Sequence, residues 1–473
     1  TALDRGANRL FAAGTSDQRI AMAAYTQDGS LDPAFGVGGK VLTTLPGGAV
    51  INDLWVTEQD TLFVAGTTEV GGVPHFLLVS YLADGSLNPG FGQNGVVTTA
   101  IGTSAHAWVV KFDQAGNIVV AGHSTSPAGE VLTVARYLPN GNLDTSFGVN
   151  GIVTTSIPGD DAFAYDLRYQ MDGKFLVAGE WRPSPNGDAR FVLARYLSDG
   201  TLDPDFDGGV DANGVILTAF SGASAAASSI TINDVPDIVL AGFAVASGAN
   251  EAFALAAYTA DGSLDTRFGT GGLTTTSVGG ASARVKKVLL NTDTLMAVGY
   301  SGTNFALARY NFPNGTLDPG FGRPSFVSTA ITNAGASGAS AVVVDPQGNR
   351  LLGGYSRNLN NPNDDFALAR YTEGSALDPA FDTDGIVTTD FGGSSEYIKA
   401  LVLHSGGNLV AAGYSNLGGS DQFALARYAA DGSLDTGFGP QGTGFFTTPI
   451  GPLSRARALI TLPDNRLIAA GHS

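Results

Sequence analysis

One segment of the sequence recurs along the whole chain, and this repetition limits the fold more than any other feature. Its centre is a Leu-Asp step, once Leu-Asn, that follows a tyrosine by six or seven residues, and successive steps are 53 to 62 residues apart. The steps begin at Leu31, Leu87, Leu143, Leu202, Leu264, Leu317, Leu377 and Leu434. Such a period indicates an array of one supersecondary unit, and it overrides the separate domains that a chain of 473 residues would otherwise suggest.

Each unit also carries strand patterns. An apolar run ending in glycine occurs nine times, from "LFAAG" at 10–14 to "LIAAG" at 467–471, and its glycine is expected to permit a bulge or a close backbone approach. The run "FALARY" at 305–310 has a helix-forming composition, but six residues between turn signals are too few for a stable helix. Together with β-branched runs such as "GIVTTSI" at 151–157, these patterns predict four short strands per unit.

This organisation predicts an all-β fold, a β-propeller of about eight four-stranded antiparallel blades. The alternative is an open solenoid, whose repeats are typically shorter and whose ends need polar caps. We expect residues 1–473 to form a single propeller domain whose chain ends meet in a shared blade. The glycine-ending run occurs nine times, but the Leu-Asp step occurs only eight times. The last run therefore exceeds the eight units, and a strand near 456–462 can lie beside residues 1–15.

The loop between the third and fourth strands, such as "DGSLDTRFG" at 261–269, repeats in every unit. A repeated loop predicts a structural role, because a catalytic group is normally needed once. Asp-Gly supplies a turn with positive φ, the Asp after Leu accepts backbone hydrogen bonds, and Leu and Phe fill the blade edge. We call this segment the latch, and its predicted residues are Leu31, Asp32, Phe35, Leu143, Asp144, Phe147, Leu264, Asp265, Phe268, Leu434, Asp435 and Phe438.

The segments "LARYLPNGNLDTSFGVNG" at 134–151 and "LARYLSDGTLDPDFDGG" at 193–209 resemble the delta-60 repeat, a bacterial β-propeller repeat with the pattern Ala-Arg-Tyr, Asp-Gly-x-Leu-Asp and Phe-Gly. The resemblance extends over essentially the whole chain. It implies a propeller that is extracellular or on the outer cell surface of a bacterium, and it implies little chemistry. The chain departs from the pattern at Asn88, at "FDTDG" 381–385 and at "RPSF" 323–326, where looser latches are expected.

Composition excludes several classes of function. The net charge of −18 disfavours binding to nucleic acid or anionic lipid, and no apolar run is long enough to span a membrane. The absence of cysteine excludes disulfides, thiolate metal sites and a cysteine nucleophile. No cofactor is expected, because the five histidines lack ligand spacing. Calcium at pairs such as Asp28 and Asp32 is the alternative to a simple turn, but the dedicated Asp-x-Asp-x-Asp-Gly spacing is missing.

The first strands of propellers line the central channel, and several first strands of this chain carry bases that would attract an anion. These candidates are Lys111, Arg168, Lys286, Lys287 and Lys399. The alternative is that they are solvated or pair with acids such as Asp166 and Glu396. Aromatic residues at variable positions either stack on sugar rings or pack between blades, namely Trp55, Trp108, Tyr165, Trp181 and Tyr397.

These observations predict a non-enzymatic binding or structural module whose partner is a protein or glycan at the cell surface, as part of a larger surface assembly. No catalytic, cofactor-binding or metal-binding residue is predicted. The alternative is an extracellular polysaccharide-active enzyme, a glycoside hydrolase or lyase, with a site at the channel mouth. A close, unrepeated pair of buried carboxylates would favour the enzyme, and no pair of this kind stands out in the sequence.

Overall fold

The structure is a computed structural model. It describes residues 12–16, 18–26, 28, 30–57, 61–127, 129–157, 160–183, 187–206, 213–233, 237–246, 248–291, 293–322, 325–331, 334–358, 361–393, 395–403, 407–450, 455–461 and 467–472. The regular elements of these residues are β-strands, which we group into blades 1 to 8 and a terminal hairpin. No helix in this part of the chain is long and apolar enough to cross a membrane.

The chain divides into two compact units, and unit 1 comprises Thr1–Thr99, Thr303–Phe305 and Thr329–Ser473. Blade 1 contains β1 (Ala12–Ser16), β2 (Arg19–Ala23) and β3 (Lys40–Thr43). Blade 2 contains β4 (Val50–Val56), β5 (Leu62–Val70), β6 (Val73–Tyr81) and β7 (Val96–Thr99).

Unit 2 comprises Ala100–Gly302 and Ala306–Ser328. Blade 3 contains β8 (Ser104–Phe112), β9 (Ile118–Ser126), β10 (Gly129–Tyr137) and β11 (Ile152–Thr155). Blade 4 contains β12 (Asp160–Tyr169), β13 (Phe175–Pro183), β14 (Arg190–Tyr196) and β15 (Val215–Thr218). Blade 5 contains β16 (Ala223–Ile232), β17 (Ile238–Ala246), β18 (Ala252–Tyr258) and β19 (Leu273–Thr276). Blade 6 contains β20 (Ala283–Leu290), β21 (Thr294–Ser301), β22 (Asn304–Asn311) and β23 (Phe326–Thr329).

The remaining strands belong to unit 1. Blade 7 contains β24 (Ala334–Val344), β25 (Arg350–Asn358), β26 (Asn361–Tyr371) and β27 (Ile386–Thr389). Blade 8 contains β28 (Glu396–Leu403), β29 (Leu409–Leu417), β30 (Ser420–Tyr428) and β31 (Phe445–Thr448). The terminal hairpin contains β32 (Arg455–Thr461) and β33 (Leu467–His472).

Blades 2 to 8 are four-stranded antiparallel sheets whose strands follow one another in chain order. This is the sheet that a propeller repeats, so the predicted all-β propeller fold is confirmed. The "FALARY" runs form β22, β26 and β30, and the helical alternative is therefore wrong. Alternate residues of these strands fill hydrophobic cores between neighbouring blades of the same unit.

The latch contains an arginine that the repeat pattern did not assign a role. In blade 4, Arg195 Nε donates to Asp203 Oδ2 at 2.8 Å, and its guanidinium lies 4.1 Å from the ring centroid of Phe206. The same ion pair recurs as Arg136–Asp144, Arg309–Asp318, Arg370–Asp378 and Arg427–Asp435. The latch phenylalanines Phe35, Phe147, Phe268 and Phe438 are fully buried. The buried ring and the ion pair together hold the loop against the blade.

Among the described residues, a backbone hydrogen bond links several latches to the turn of a neighbouring blade in the same unit. In unit 2, Gly148 N donates to Asp199 O at 2.7 Å, and in unit 1, Gly36 N donates to Asp84 O at 2.7 Å. Gly439 N of blade 8 makes the same bond at 2.6 Å to Asp28 O, which lies in the turn after β2 of blade 1. Strand β33 also lies against β1. Among the described residues, blade 1 and the terminal hairpin are separate sheets, and residues 1–11 lie outside this part of the chain. The shared blade therefore stays a prediction.

Candidate functional site

The first strand of each blade from 2 to 8 is interrupted at the same point. The pairing of first and second strands skips one residue, which forms a β-bulge opposite the glycine that ends the apolar run. The skipped residues are Asn52, Trp108, Tyr165, Ser228, Lys286, Ser340 and Lys399. A Cβ at Gly242 would lie 1.9 Å from Ala226 O, so only glycine fits beside the bulge, as the sequence predicted.

The bulge separates the repeated part of the blade from a variable part. Beyond the glycine, the residues that face each other across the first two strands differ from blade to blade. They are His106 and His123, Phe163 and Glu180, Ala226 and Phe243, Arg284 and Tyr300, Gly338 and Tyr355, and Tyr397 and Tyr414. A constant scaffold that ends in variable polar and aromatic side chains is the expected layout of a binding site.

In unit 1 the variable residues of blades 7 and 8 form a tyrosine cluster, which we define as Tyr355, Tyr397 and Tyr414. The Tyr397 ring lies 4.5 Å from that of Tyr355 and 5.1 Å from that of Tyr414, measured between centroids. Lys399 Nζ lies 5.0 Å from the Tyr397 centroid. The cluster therefore combines aromatic surface with a cation.

Asp364 fixes the central ring of this cluster. It is fully buried, accepts a hydrogen bond from the Tyr397 hydroxyl, and accepts two more from Arg357 at 2.7 and 2.9 Å. Burial, followed by the hydrogen bond to this carboxylate, raises the pKa of Tyr397. The phenol therefore stays protonated and keeps its orientation.

Three acids meet at the same end of blades 7 and 8. Single carboxylate oxygens of Asp365, Asp390 and Glu396, which we call the carboxylate cluster, lie within 4.8 Å of one another. Asp365 is on β26, Asp390 follows β27, and Glu396 begins β28. Three carboxylates are ligands that a divalent cation accepts, but calcium prefers six to eight oxygens.

The three acids differ in their surroundings. Glu396 is fully buried and accepts hydrogen bonds from Phe391 N at 2.8 Å, Gly393 N at 2.9 Å and Ser415 Oγ at 3.0 Å, so it anchors the loop that carries Asp390. Asp390 is exposed, and Asp365 is partly buried with its Oδ1 unbonded among the described residues. Burial is the main cause that raises the pKa of Glu396 to about 7 and that of Asp365 to about 6. The cluster thus contains a protonatable acid beside an exposed carboxylate.

The raised pKa of Glu396 predicts a dependence of stability on pH. Its pKa rises from 4.5 to about 7 on folding, so the folded state binds the extra proton and stability falls as the pH rises from about 4.5 to about 7. We expect Glu396→Gln, which removes this titration, to be more stable than the wild type by about 2 kcal/mol at pH 8. The gain should vanish below the unfolded pKa.

Urea unfolding at several pH values measures this difference. Glu69→Gln, the same substitution at an exposed side chain, is the control for the chemical change itself. A Glu396→Gln variant whose stability follows that of the wild type at every pH would contradict the assignment.

Unit 2 holds a different set of variable residues in blades 3 and 4. Trp108 Nε1 donates to His123 Nδ1 at 3.1 Å, and the Trp108 ring meets that of Tyr165 edge-on at 6.2 Å. Glu180 accepts two hydrogen bonds from Arg182 at 2.7 and 2.9 Å and one from the Tyr165 hydroxyl at 3.3 Å. We call these five residues the tryptophan cluster.

The predicted basic candidates do not form one group. In unit 2, Lys111 is buried and its Nζ donates a hydrogen bond to Val110 O. Arg168 forms an ion pair with Asp166 at 2.7 Å, as the alternative to an anion-binding role predicted. Lys286 is an exposed bulge residue and Lys287 is half-buried beside it, whereas Lys399 belongs to the tyrosine cluster of unit 1. Glu396, the other acid named as a partner for these bases, accepts hydrogen bonds from backbone N–H groups.

The aromatic residues that the sequence singled out as possible sugar-stacking groups also lie in different places. Trp181 is buried under Arg190, and Trp55 is half-buried on β4. Trp108, Tyr165 and Tyr397 lie in the two variable clusters. The sequence-based reasoning missed Asp365 and Asp390 entirely, and it missed the role of the residue that follows the signature glycine.

Two grooves at the latch end of the blades are part of the architecture. A groove in unit 2 is lined by Asp113 and Arg136, and a groove in unit 1 is lined by the equivalent residues Asp345 and Arg370. Because the same lining recurs with the repeat, these grooves do not mark a specific site.

Comparison with protein families identifies the repeat. The model described as "Domain of unknown function (DUF5122) beta-propeller" matches residues 60–91, 116–147, 170–206, 236–268 and 406–438. These matches show that the chain is made of β-propeller repeats. No curated protein shows significant sequence similarity to the chain.

Solved structures that resemble the chain are also propellers. The polysaccharide lyase Uly1 is 11% identical, with 79% of this chain and 88% of that chain covered and a TM-score of 0.41. A PL25 ulvan lyase bound to -[GlcA(1-4)Rha3S]- is 10% identical, with 97% and 91% covered and a TM-score of 0.39. A eukaryotic initiation factor is 11% identical, with 90% and 95% covered and a TM-score of 0.43.

Two of these structures are polysaccharide lyases by name. The expectation that the protein is not an enzyme is corrected. Likeness at this level of identity shows the fold alone. A reaction therefore has to be argued from the side chains of this chain.

Proposed function

We propose that this β-propeller repeat protein is an extracellular bacterial enzyme that hydrolyses a polysaccharide at the carboxylate cluster of unit 1, and that its repeats are of the delta-60 type. The observation that carries the proposal is a close group of acids that no other blade repeats. It is the feature that distinguishes an enzyme from a binding module in a chain of this kind, because a catalytic group is needed once.

The acids occupy three repeat positions that are not acidic elsewhere. Where blade 8 has Glu396, the first strands of the other four-stranded blades from 3 to 7 have small residues, namely Ala105, Ala162, Ala225, Ala283 and Ser337. Where blade 7 has Asp365, other third strands have His75, Val131, Arg190, Ala252, Asn304 and Gln422. Blade 7 has Asp390 directly after its fourth strand. In blades 2 to 6 and in blade 8, the fourth strand is followed by Ala100, Ser156, Ala219, Ser277, Ala330 and Pro449. The three acids that depart from the repeat pattern have carboxylate oxygens within 4.8 Å of one another, and this closeness favours a shared chemical role.

The surroundings assign different roles to the acids. Asp365, with its pKa raised to about 6, is the general acid that protonates the leaving glycosidic oxygen. We assign the attack on the sugar carbon to the exposed Asp390, because carboxylate oxygens within 4.8 Å of one another leave no room for the water that acids roughly 6.5–9.5 Å apart would hold. Water then hydrolyses the glycosyl ester of Asp390, and the carboxylate of Asp365 accepts the proton of that water. Glu396 is a positioning residue that holds the loop of Asp390 through Phe391 N and Gly393 N.

The tyrosine cluster is the sugar-binding surface that we propose for this site, because Tyr397 follows Glu396 on β28. Asp364, which precedes Asp365 on β26, accepts the hydrogen bond of Tyr397, and its charge contributes to the raised pKa of Asp365. Aromatic faces and hydroxyl donors are the groups that bind sugar rings in water.

Turnover of soluble polysaccharides tests the proposal. We expect the wild type to release reducing ends from at least one of xylan, laminarin, pectin and alginate, and Asp365→Asn and Asp390→Asn each to lower the rate by about a hundredfold or more. The rate should fall as the pH rises above about 6, because Asp365 must be protonated to act.

The exposed Glu69→Gln is the matched control and should retain the wild-type rate. Release of products with a new double bond would identify elimination and contradict the assigned hydrolysis. A wild type that degrades none of the polymers, or carboxylate variants with unchanged rates, would contradict the site.

A further inference from the structure

The tryptophan cluster of unit 2 has features of a second site that takes no part in the proposed reaction. We infer that Trp108, Tyr165, Glu180 and Arg182 form a binding subsite for an uncharged sugar ring of a glycan. The inference concerns binding alone, and it stands whether or not the carboxylate cluster of unit 1 is catalytic.

Trp108 presents an open aromatic face. Its exposed fraction is 39%, and it is the one aromatic residue among the exposed large hydrophobic side chains in the described part of the chain. It is the bulge residue of β8 and has no partner in the pairing of β8 with β9. An exposed tryptophan that the core does not need is well suited to stacking on the apolar face of a sugar ring.

The orientation of the indole is fixed from two sides. Its Nε1 donates to His123 Nδ1 at 3.1 Å, and the Tyr165 ring meets it edge-on at 6.2 Å. His123 itself is buried between the rings of His106, at 5.1 Å, and Phe163, at 5.0 Å. Burial lowers the pKa of His123 to about 4, so its ring is neutral at pH 7 and its Nδ1 can accept the hydrogen bond of the indole N–H. A face held in place loses little entropy when a ligand binds to it.

Polar groups for the sugar hydroxyls lie on the next blade. Glu180 is buried with an exposed fraction of 7%, and it holds Arg182 through two hydrogen bonds and Tyr165 through one. The Arg182 side chain is 55% exposed, and no acceptor among the described residues bonds its Nη1. The guanidinium is therefore oriented, and it retains donors for a pair of ligand hydroxyls.

The charges favour a neutral ligand over an acidic one. Arg182 is balanced by Glu180, and Asp161 lies close enough to act on the same guanidinium. An acidic sugar would place its carboxylate or sulfate next to these two acids without a free positive charge to offset them. An uncharged ring meets the aromatic face and the hydrogen-bond donors without this repulsion.

Native electrophoresis in gels that contain a polysaccharide tests the inference. The protein to use is the full-length Asp365→Asn variant, so that turnover does not remove the polymer. We expect at least one of laminarin, xylan and galactomannan to retard it. Trp108→Ala and Arg182→Met, each added to this variant, should weaken the apparent affinity by about tenfold or more.

Trp55→Phe, in a half-buried tryptophan of another first strand, is the control and should leave the retardation unchanged. Arg182→Met changes a largely exposed side chain, so it keeps the test valid if Trp108→Ala does not fold. Retardation by none of the neutral polymers, by alginate alone, or to an equal extent with both variants would overturn the inference. The turnover assay on the wild type is independent of each of these outcomes.

Discussion

Alanine in place of Gly242 is expected to destabilise the protein by at least about 3 kcal/mol, or to prevent folding. The added Cβ would lie 1.9 Å from Ala226 O and 2.9 Å from the Ala226 carbonyl carbon and from Ala227 Cα. These are backbone atoms, so no side-chain rotation can relieve the overlap. The bulge at Ser228 would have to open, and the pairing of β16 with β17 would open with it.

Urea unfolding followed by circular dichroism measures the effect. Gly374→Ala is the matched control, because this exposed glycine has no atom closer than 3.9 Å to an added Cβ, and its change should stay within about 0.5 kcal/mol. If Gly242→Ala unfolds at the same urea concentration as the control, the explanation of the signature glycine is wrong.

The need for a glycine at the end of the apolar run was predictable, because its cause is local and recurs along the chain. Nine runs that end in glycine point to a backbone requirement at that position. The identity of the partner was not predictable in the same way. The Ala226 carbonyl approaches Gly242 only because the first strand carries an extra, unpaired residue. A single unpaired residue cannot be recognised in a sequence pattern of short strands.

The latch was predicted in part for a similar reason. The buried Phe and the turn-forming Asp follow from residue type, but the repeat pattern assigns no role to the arginine of "ARY". Its role depends on the fold, which brings Arg195 within 2.8 Å of Asp203 and over the Phe206 ring. Long side chains reach partners that strand alternation does not reveal.

The carboxylate cluster was not predicted, although a signal for it was present. Alignment of the repeats shows an acid at Glu396 where the other blades have Ala or Ser, and a buried acid in place of a small residue is unusual. Its meeting with Asp365 and Asp390 could not be derived, because the three residues come from β26, β28 and the segment after β27. Their distance depends on how one blade packs against the next, which the sequence pattern does not determine.

Truncation of the latch ring in Phe268→Ala is expected to cost about 3–5 kcal/mol in the free energy of unfolding. Phe268 is fully buried in the core that blades 5 and 6 share, and its ring centroid lies 6.4 Å from that of Phe312. Its removal leaves a cavity beside Gly315, next to the bond of 2.7 Å from Gly269 N to Asn314 O that joins the two blades. The loss therefore combines the buried area of the ring with a weakened contact between neighbouring blades. Val149→Ala, at an exposed tip of the equivalent segment in blade 3, is the control and should change stability by less than about 0.5 kcal/mol. Equal unfolding midpoints for the two variants would show that the repeated segment does not hold the blades together.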